Sequence, residues 1–329
     1  MTSILSTLGR CPATVRFSVC LVVLVCSQAL LGCARESGLA TWPDPVETGW
    51  FTVMTYNLGG FTYLDRSGDG QAAEMKPVEE QEAVLTIIEE ARPDILALQE
   101  IGPPSVLDAF RAQLAGRGVD YPFTALLQQE GSDRHLAVLS RFPLTHVAKH
   151  TTDRYRAGDT LWPVKRGVLE VDLVVSPAFP LKLFVVQLKS KAFHPAGQTE
   201  MRRSEARLLA NHVRRAQQAE PQVNFLIVGD MNDHIRSAPL RHLLSAQEEH
   251  WIDLRPADEY GEIWTGFEPE LEMYHRYDYA LASPALAKVY LANSSRVVRH
   301  PLQMVASHRR PLLLYFQTRP SSTAGDLEE

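Results

Sequence analysis

The sequence predicts a mixed α/β fold of two packed sheets flanked by helices. Three observations carry that expectation: runs with strand character outnumber helical patterns, the two kinds interleave along the chain, and polar residues gather where the apolar runs end. From Trp50 to Leu58, Phe51, Val53 and Thr55 alternate with Met54 and Tyr56, a strand that runs into the turn Asn57-Leu58-Gly59-Gly60. A Gly/Asp-rich loop follows. Its stretch Asp65-Arg66-Ser67-Gly68-Asp69-Gly70 lacks the distal acid of a calcium loop and reads as a turn. Pro77 opens a helix in which Val84, Ile87, Ile88 and Ala91 share one face, and Pro93 closes it. Ile95-Leu96-Ala97-Leu98 is a short buried strand ending in Gln99-Glu100, which brings a carboxylate to the strand mouth. Further strands are expected at Leu136 to Leu139, Val168 to Val175, Leu181 to Leu188 and Leu312 to Phe316. A second helix covers about Glu200 to Arg215, with Ala206, Leu209, Ala210 and Val213 inward. Residues 223–228 form a strand that ends in Gly229-Asp230-Met231-Asn232-Asp233, and Tyr277-Asp278-Tyr279-Ala280-Leu281 opens one with its acid near the entrance.

The 329 residues are 45% hydrophobic and 22% charged, which excludes a disordered, collagenous or multi-span membrane chain. The net charge is −6 and no basic stripe advertises nucleic-acid binding. All four cysteines, Cys11, Cys20, Cys26 and Cys33, lie at the start, so the body has no disulfide framework.

That start reads as an export address. Arg10 and Arg16 precede the apolar stretch Phe17 to Leu31, too short for a comfortable bilayer crossing and of the length of a secretory h-region. Leu30-Leu31-Gly32-Cys33 resembles the bacterial lipoprotein box, which implies cleavage before Cys33 and lipidation of its thiol. A plain signal peptide and an uncleaved anchor helix remain the alternatives. The organisation is then a lipoprotein-type signal peptide over 1–33, a linker over 34–49, one folded domain over 50–318 and a polar tail over 319–329. The expected location is the bacterial cell envelope, with the chain lipid-anchored to a membrane and facing the periplasm or exterior. No protein partner is expected.

Residues able to do chemistry are scattered, one Asn, Asp, Glu or His at each of several strand ends, as where a scaffold converges separate loops on one pocket. In order and spacing, Thr55-Tyr56-Asn57, Leu98-Gln99-Glu100, Gly229-Asp230-Met231-Asn232, Tyr277-Asp278-Tyr279 and Ser307-His308-Arg309-Arg310-Pro311 resemble the endonuclease/exonuclease/phosphatase family with the deoxyribonuclease I-like fold. The resemblance covers about residues 50–318 and includes Arg92-Pro93-Asp94-Ile95, Arg166-Gly167 and Leu188-Lys189-Ser190-Lys191. It implies a four-layered α/β sandwich of two mainly antiparallel sheets, and divalent-metal-dependent hydrolysis of a phosphate ester, with nucleic acid or a lipid head group as the leading diester substrates.

A phosphate ester is anionic, so attack requires that its charge be neutralised and a water activated. Under the resemblance Glu100 ligates Mg²⁺ (Mn²⁺ as the alternative) with Asn57 helping as an oxygen donor. Asp230 orients the water as general base, Asn232 donates to the phosphate or metal shell, and Gly229 places both. His308 faces the phosphate, and Asp278 holds its ring and raises its pKa. Arg166 and Lys189, with Lys191, add positive charge at the mouth. The chain departs from the family pattern at Ser307, where an Asp usually precedes the final histidine, and at Gln187, where many members carry a His; Gln187 can orient phosphate but cannot titrate. These departures motivate a second reading, a phosphate-ligand binding protein of the same fold with lost or weak turnover.

Overall fold

The computed structural model describes residues 48–318 apart from 71–72 and 246–250. The expected signal segment, Cys33, nearly all of the linker and the tail lie outside the described residues. The first sheet receives β1 (Trp50–Phe61), β2 (Ile95–Ile101), β3 (Phe123–Leu127) and β4 (His135–Ser140). The second receives β5 (Leu144–His150), β6 (Val168–Ser176), β7 (Phe179–Gln187), β8 (Asn224–Asp230), β9 (Ile252–Asp253) and β10 (Asp278–Ala282). The chain then returns to the first sheet for β11 (Arg296–Val297) and β12 (Leu312–Gln317). The main helices are α1 (Val78–Ala91), α2 (Pro104–Gly116), α3 (Gln198–Ala219) and α4 (Ala238–Ser245).

The spatial orders are β11-β12-β1-β2-β4-β3 and β9-β10-β8-β7-β6-β5. Each sheet is antiparallel except for one central parallel pair, β1 with β2 and β7 with β8. A parallel pair needs a long crossover, and α1 and α3 supply the two. Consequently two pairs of neighbouring strands end at the same edge of their sheets, where chemistry-bearing residues can collect.

The layering follows from side-chain period. On β1, Phe51 and Val53 point into the core between the sheets, while Met54, Tyr56 and Leu58 point to a second core beneath α1 and α2. A third core packs β7, β8 and β10 against α3 and α4. Helices, sheet, sheet, helices make a four-layered sandwich. Register is pinned by Asp94, which accepts from Thr52 N and Oγ1 at 2.8 Å each across the β1–β2 pair and is paired with Arg141.

The expected elements form with ends shifted by a few residues: β1, β2 and β8 run past their expected C-termini, β7 stops at Gln187, and α3 runs past both of its expected limits. The helices α2 and α4 and the strands β3, β5, β9 and β11 were not anticipated. Helix α2 buries Val106, Leu107, Phe110 and Leu114, while β3 and β5 are half-exposed edge strands of mixed composition. Among the described residues no helix is long and apolar enough to cross a membrane.

Candidate active site

The ends of the two central strand pairs meet. Asn57, near the end of β1, is fixed by its own turn, where Gly59 N donates to its Oδ1 at 3.0 Å and Gly59 sits at φ 61. Its Nδ2 then donates across the sandwich to Asp230 Oδ2 at 3.0 Å and reaches Glu100 Oε1 at 3.5 Å. Glu100 occupies a β-bulge: it stands at φ 65, and the ladders of β2 with both β1 and β4 skip it. The extra residue turns its carboxylate out of the sheet and into the cleft. Gln187, the last residue of β7, donates to Glu100 Oε1 at 2.6 Å and accepts from Arg166 Nε at 3.2 Å. Arg134 closes on Glu100 Oε2 at 3.2 Å.

Asp230 ends β8. A Cβ on Gly229 would lie 2.0 Å from Val186 O, so only glycine lets β8 approach β7 there. Asp230 Oδ1 accepts from Asn232 N at 3.0 Å, and Asn232 donates through Nδ2 to Leu188 O at 2.8 Å. Arg309 completes the cluster. Its Nη2 lies 3.0 Å from Asp230 Oδ2 and 3.2 Å from Asn232 Oδ1, and its Nη1 lies 3.3 Å from Asp230 Oδ1 and 3.6 Å from Asp278 Oδ2.

The charges divide into two kinds. Burial works to raise the Glu100 pKa, but Arg134, the Gln187 hydrogen bond, Arg166 and Arg309 outweigh it and hold the carboxyl below its ordinary range. Asp230 is raised, by burial first and then by the charge of Glu100, against the pull of Arg309. Asp278 is pushed up to about 7 by burial and by the Asp230 charge, with Arg309 again opposing. The site therefore sets one carboxylate that its cationic neighbours keep ionised beside an acid pair whose pKa values are raised.

Of the residues read from the sequence, the structure brings together Asn57, Glu100, Gln187, Arg166, Asp230, Asn232 and Asp278. Three expectations need correction. Asp278 does not hold His308; it faces Arg309, and His308 is exposed. In the extended segment before β12, alternate residues face alternate sides: Ser307 Oγ turns inward to Asn57 O at 2.9 Å, His308 turns out, and Arg309 turns in. Asn57 does not present oxygen to the cleft, because its Oδ1 is held by Gly59 and its NH₂ faces the carboxylates. Lys189 does not reach the cluster either; its ammonium folds back on Ser190 O and Ala192 O, and only its backbone takes part, through Glu205. Arg134 and Arg309 are the site residues sequence reading missed.

One groove opens on this cluster. It has a volume of ≈ 560 Å³ and is lined by Phe267, Glu268, Leu271, Tyr277, His308 and Arg309 among others. His308 thus lines this groove as an exposed side chain, outside the buried cluster.

A hard divalent cation is held by oxygen donors, chiefly carboxylates. No group of three or more His, Cys, Asp or Glu side chains suited to a metal occurs among the described residues. Mg²⁺ needs fewer, since it keeps several waters and binds through one or two carboxylates plus substrate oxygens. Glu100, ionised and 12% exposed at its side chain, fits that mode.

A cleft where an ionised carboxylate, a buried acid pair, three amides and three guanidinium groups converge from both sheets suits phosphate-ester chemistry. The match of the Endonuclease/Exonuclease/phosphatase family model to residues 54–295 places the chain in that family, and membership supports a phosphoric ester hydrolase. Members of the family are in general divalent-metal dependent. Among solved structures, the truncated TDP2 of Caenorhabditis elegans is similar over 82% of this chain and 98% of its own, at 17% identity and a TM-score of 0.57. The human Nocturnin catalytic domain with bound sulfate matches over 82% and 94% at 17% identity and a TM-score of 0.58. An AP endonuclease from Archaeoglobus fulgidus matches over 81% and 99% at 14% identity and a TM-score of 0.57. At these identities the likeness establishes the fold. Among curated proteins none matches the sequence.

Proposed function

We propose that the protein is an exported, divalent-metal-dependent phosphodiesterase that uses Mg²⁺, with Mn²⁺ as a substitute. The observation that carries this reading is the placement of Glu100, a nearly buried carboxylate ringed by Arg134, Gln187 and Asn57 at a strand mouth that faces Asp230 across the cleft. Glu100 would hold the cation. When bound, the ion would neutralise phosphoryl charge and acidify a water. Asp230 accepts a proton from the attacking water, and the Asn57 amide orients Asp230. Arg134 and Arg166 flank Glu100 and draw the anionic ester in, locally reversing a net charge of −6. The substrate is a diester of nucleic acid or of a lipid head group. The groove beside Arg309, lined by Phe267 and Tyr277 as well as by Glu268 and His308, receives the substituent.

A specific observation favours a second reading, a phosphate-binding protein with weak turnover. Among the described residues no imidazole touches the inner cluster, where Gln187 and Arg309 stand. The two are separated by assaying the protein with Mg²⁺ or Mn²⁺ on a generic diester, a monoester, DNA and sphingomyelin. For the enzyme, metal-dependent turnover falls about 100-fold or more in Glu100→Ala. Absence of turnover with retained binding of inorganic phosphate selects the binding protein.

Export and anchoring through Cys33 belong to the same proposal. Cys33→Ala should release the chain from the membrane fraction; a variant that still sediments with membranes after export contradicts lipidation at that residue.

A further inference from the structure

We propose that Arg309 is a resident cation: its guanidinium occupies the locus among Asp230, Asp278 and Asn232 that a second divalent ion would need, and leaves Glu100 to take the single exchangeable one. The inference rests on the metal-dependent reading above.

The oxygen set is that of a hard-cation site. Two carboxylates, 0% and 2% exposed, and the Asn232 amide oxygen converge on one point. Asp278 Oδ2 is buried with no hydrogen-bond partner and lies 3.6 Å from Arg309 Nη1, so it contributes charge toward that point without a directed bond. Two buried carboxyl groups side by side call for a positive partner, since whatever charge they carry costs several kcal/mol if left uncompensated. Here the chain itself supplies it.

The guanidinium is seated rather than draped. Its plane lies over the Tyr277 ring, with the guanidinium carbon 4.5 Å from the ring centroid, and the Tyr277 hydroxyl is tied to Glu268. Gly266 leaves the space for this stack. A Cβ there would come 3.0 Å from Tyr277 Cδ2, 3.4 Å from Arg309 Cδ and 3.5 Å from its Nη1. Arg309 is pinned from the groove side by Tyr277 and Gly266 and from the inner side by three oxygen-bearing residues. Arginine carries its charge at any pH the protein meets, and a chelator cannot remove it. The second half of the site therefore keeps a constant positive charge while the Glu100 half depends on a supplied ion.

The test counts ions. Full-length wild type, Arg309→Gln, Asp278→Asn and the double variant are titrated with Mn²⁺ in the absence of substrate, following bound ion by equilibrium dialysis and electron paramagnetic resonance, with folding checked by circular dichroism. Arg309→Gln should take up one more Mn²⁺ per chain than wild type, and the double variant should lose that extra ion. Asp278→Asn alone should leave the wild-type count unchanged, because Asp278 serves Arg309 and not an exchangeable ion. A folded Arg309→Gln protein with the wild-type count overturns the proposal. So does a lower count in Asp278→Asn, a comparison that decides the matter even if Arg309→Gln does not fold. Failure of the metal-dependent reading looks different: wild type then takes up no Mn²⁺ and its turnover ignores metal, whatever the variants bind.

Discussion

At Asp278 and Glu100, burial acts in the same direction and the outcomes are opposite. Glu100 is met by the guanidinium groups of Arg134, Arg166 and Arg309 and stays charged, whereas Asp278 has Asp230 as neighbour and shares one cation with it. The shift at Asp278, from 3.8 to about 7, makes the fold hold a proton that the unfolded chain has released. The stabilisation tied to that proton is complete below the unfolded pKa of 3.8 and is lost as pH rises toward 7, and Asp230, raised in the same sense, adds to the loss. Thermal melting between pH 4 and pH 8 should therefore show stability falling across that window, and Asp278→Asn should flatten the fall. A variant with the wild-type slope would remove Asp278 as its source. Glu100, Asp230 and Asn57 were legible in the sequence because each closes an apolar run. Arg309 was not, since in Ser307-His308-Arg309 the histidine draws the eye, and only the alternation of an extended segment, with Ser307 and Arg309 facing in together, shows which neighbour enters the cleft.

Helix α3 does more than cover the second sheet. Its buried Glu205 accepts from Lys165 N at 3.0 Å and Lys189 N at 2.6 Å, clamping the segments that carry Arg166 and follow Gln187. One turn earlier Arg202 binds Asp233 Oδ2 through Nε at 2.9 Å and Lys189 O through Nη1 at 3.0 Å. These charged residues sit on the buried face of a helix whose apolar stripe was read correctly as Ala206, Leu209, Ala210 and Val213. From sequence they pass for solvated charge, and only the loops packed over them give them partners. Helix α2 escaped for another reason: Pro103-Pro104 reads as a break, although Pro104 stands in its first turn, and Val106, Phe110 and Leu114 do recur at helical spacing. Glu205→Ala leaves two backbone N–H groups without their acceptor and should cost about 3 kcal/mol. Urea unfolding should show this as a lower midpoint at unchanged slope. Glu205→Gln, which keeps one acceptor oxygen, should recover part of it, and a midpoint for the alanine variant equal to wild type would reduce the clamp to a passive contact.

The sandwich is closed at its functional edge by polar contacts rather than by its apolar core. Asn57 to Asp230 and Gln187 to Glu100 each join one sheet to the other, so the site is also an inter-sheet lock, present only when the layers are correctly packed. An ion that requires this assembled edge binds the folded chain and not the unfolded one, and must stabilise it by linkage, about 2.7 kcal/mol at a hundredfold excess over its Kd. For a domain of this size that corresponds to a rise in Tm of roughly 5–10 °C. A net charge of −6 means that any salt relieves some general repulsion, so the comparison is made against NaCl at matched ionic strength. Under that control Mn²⁺ should raise the Tm of wild type and leave Glu100→Gln unmoved. An equal rise in both would place the stabilising ion elsewhere on an acidic surface and would detach Glu100 from metal binding.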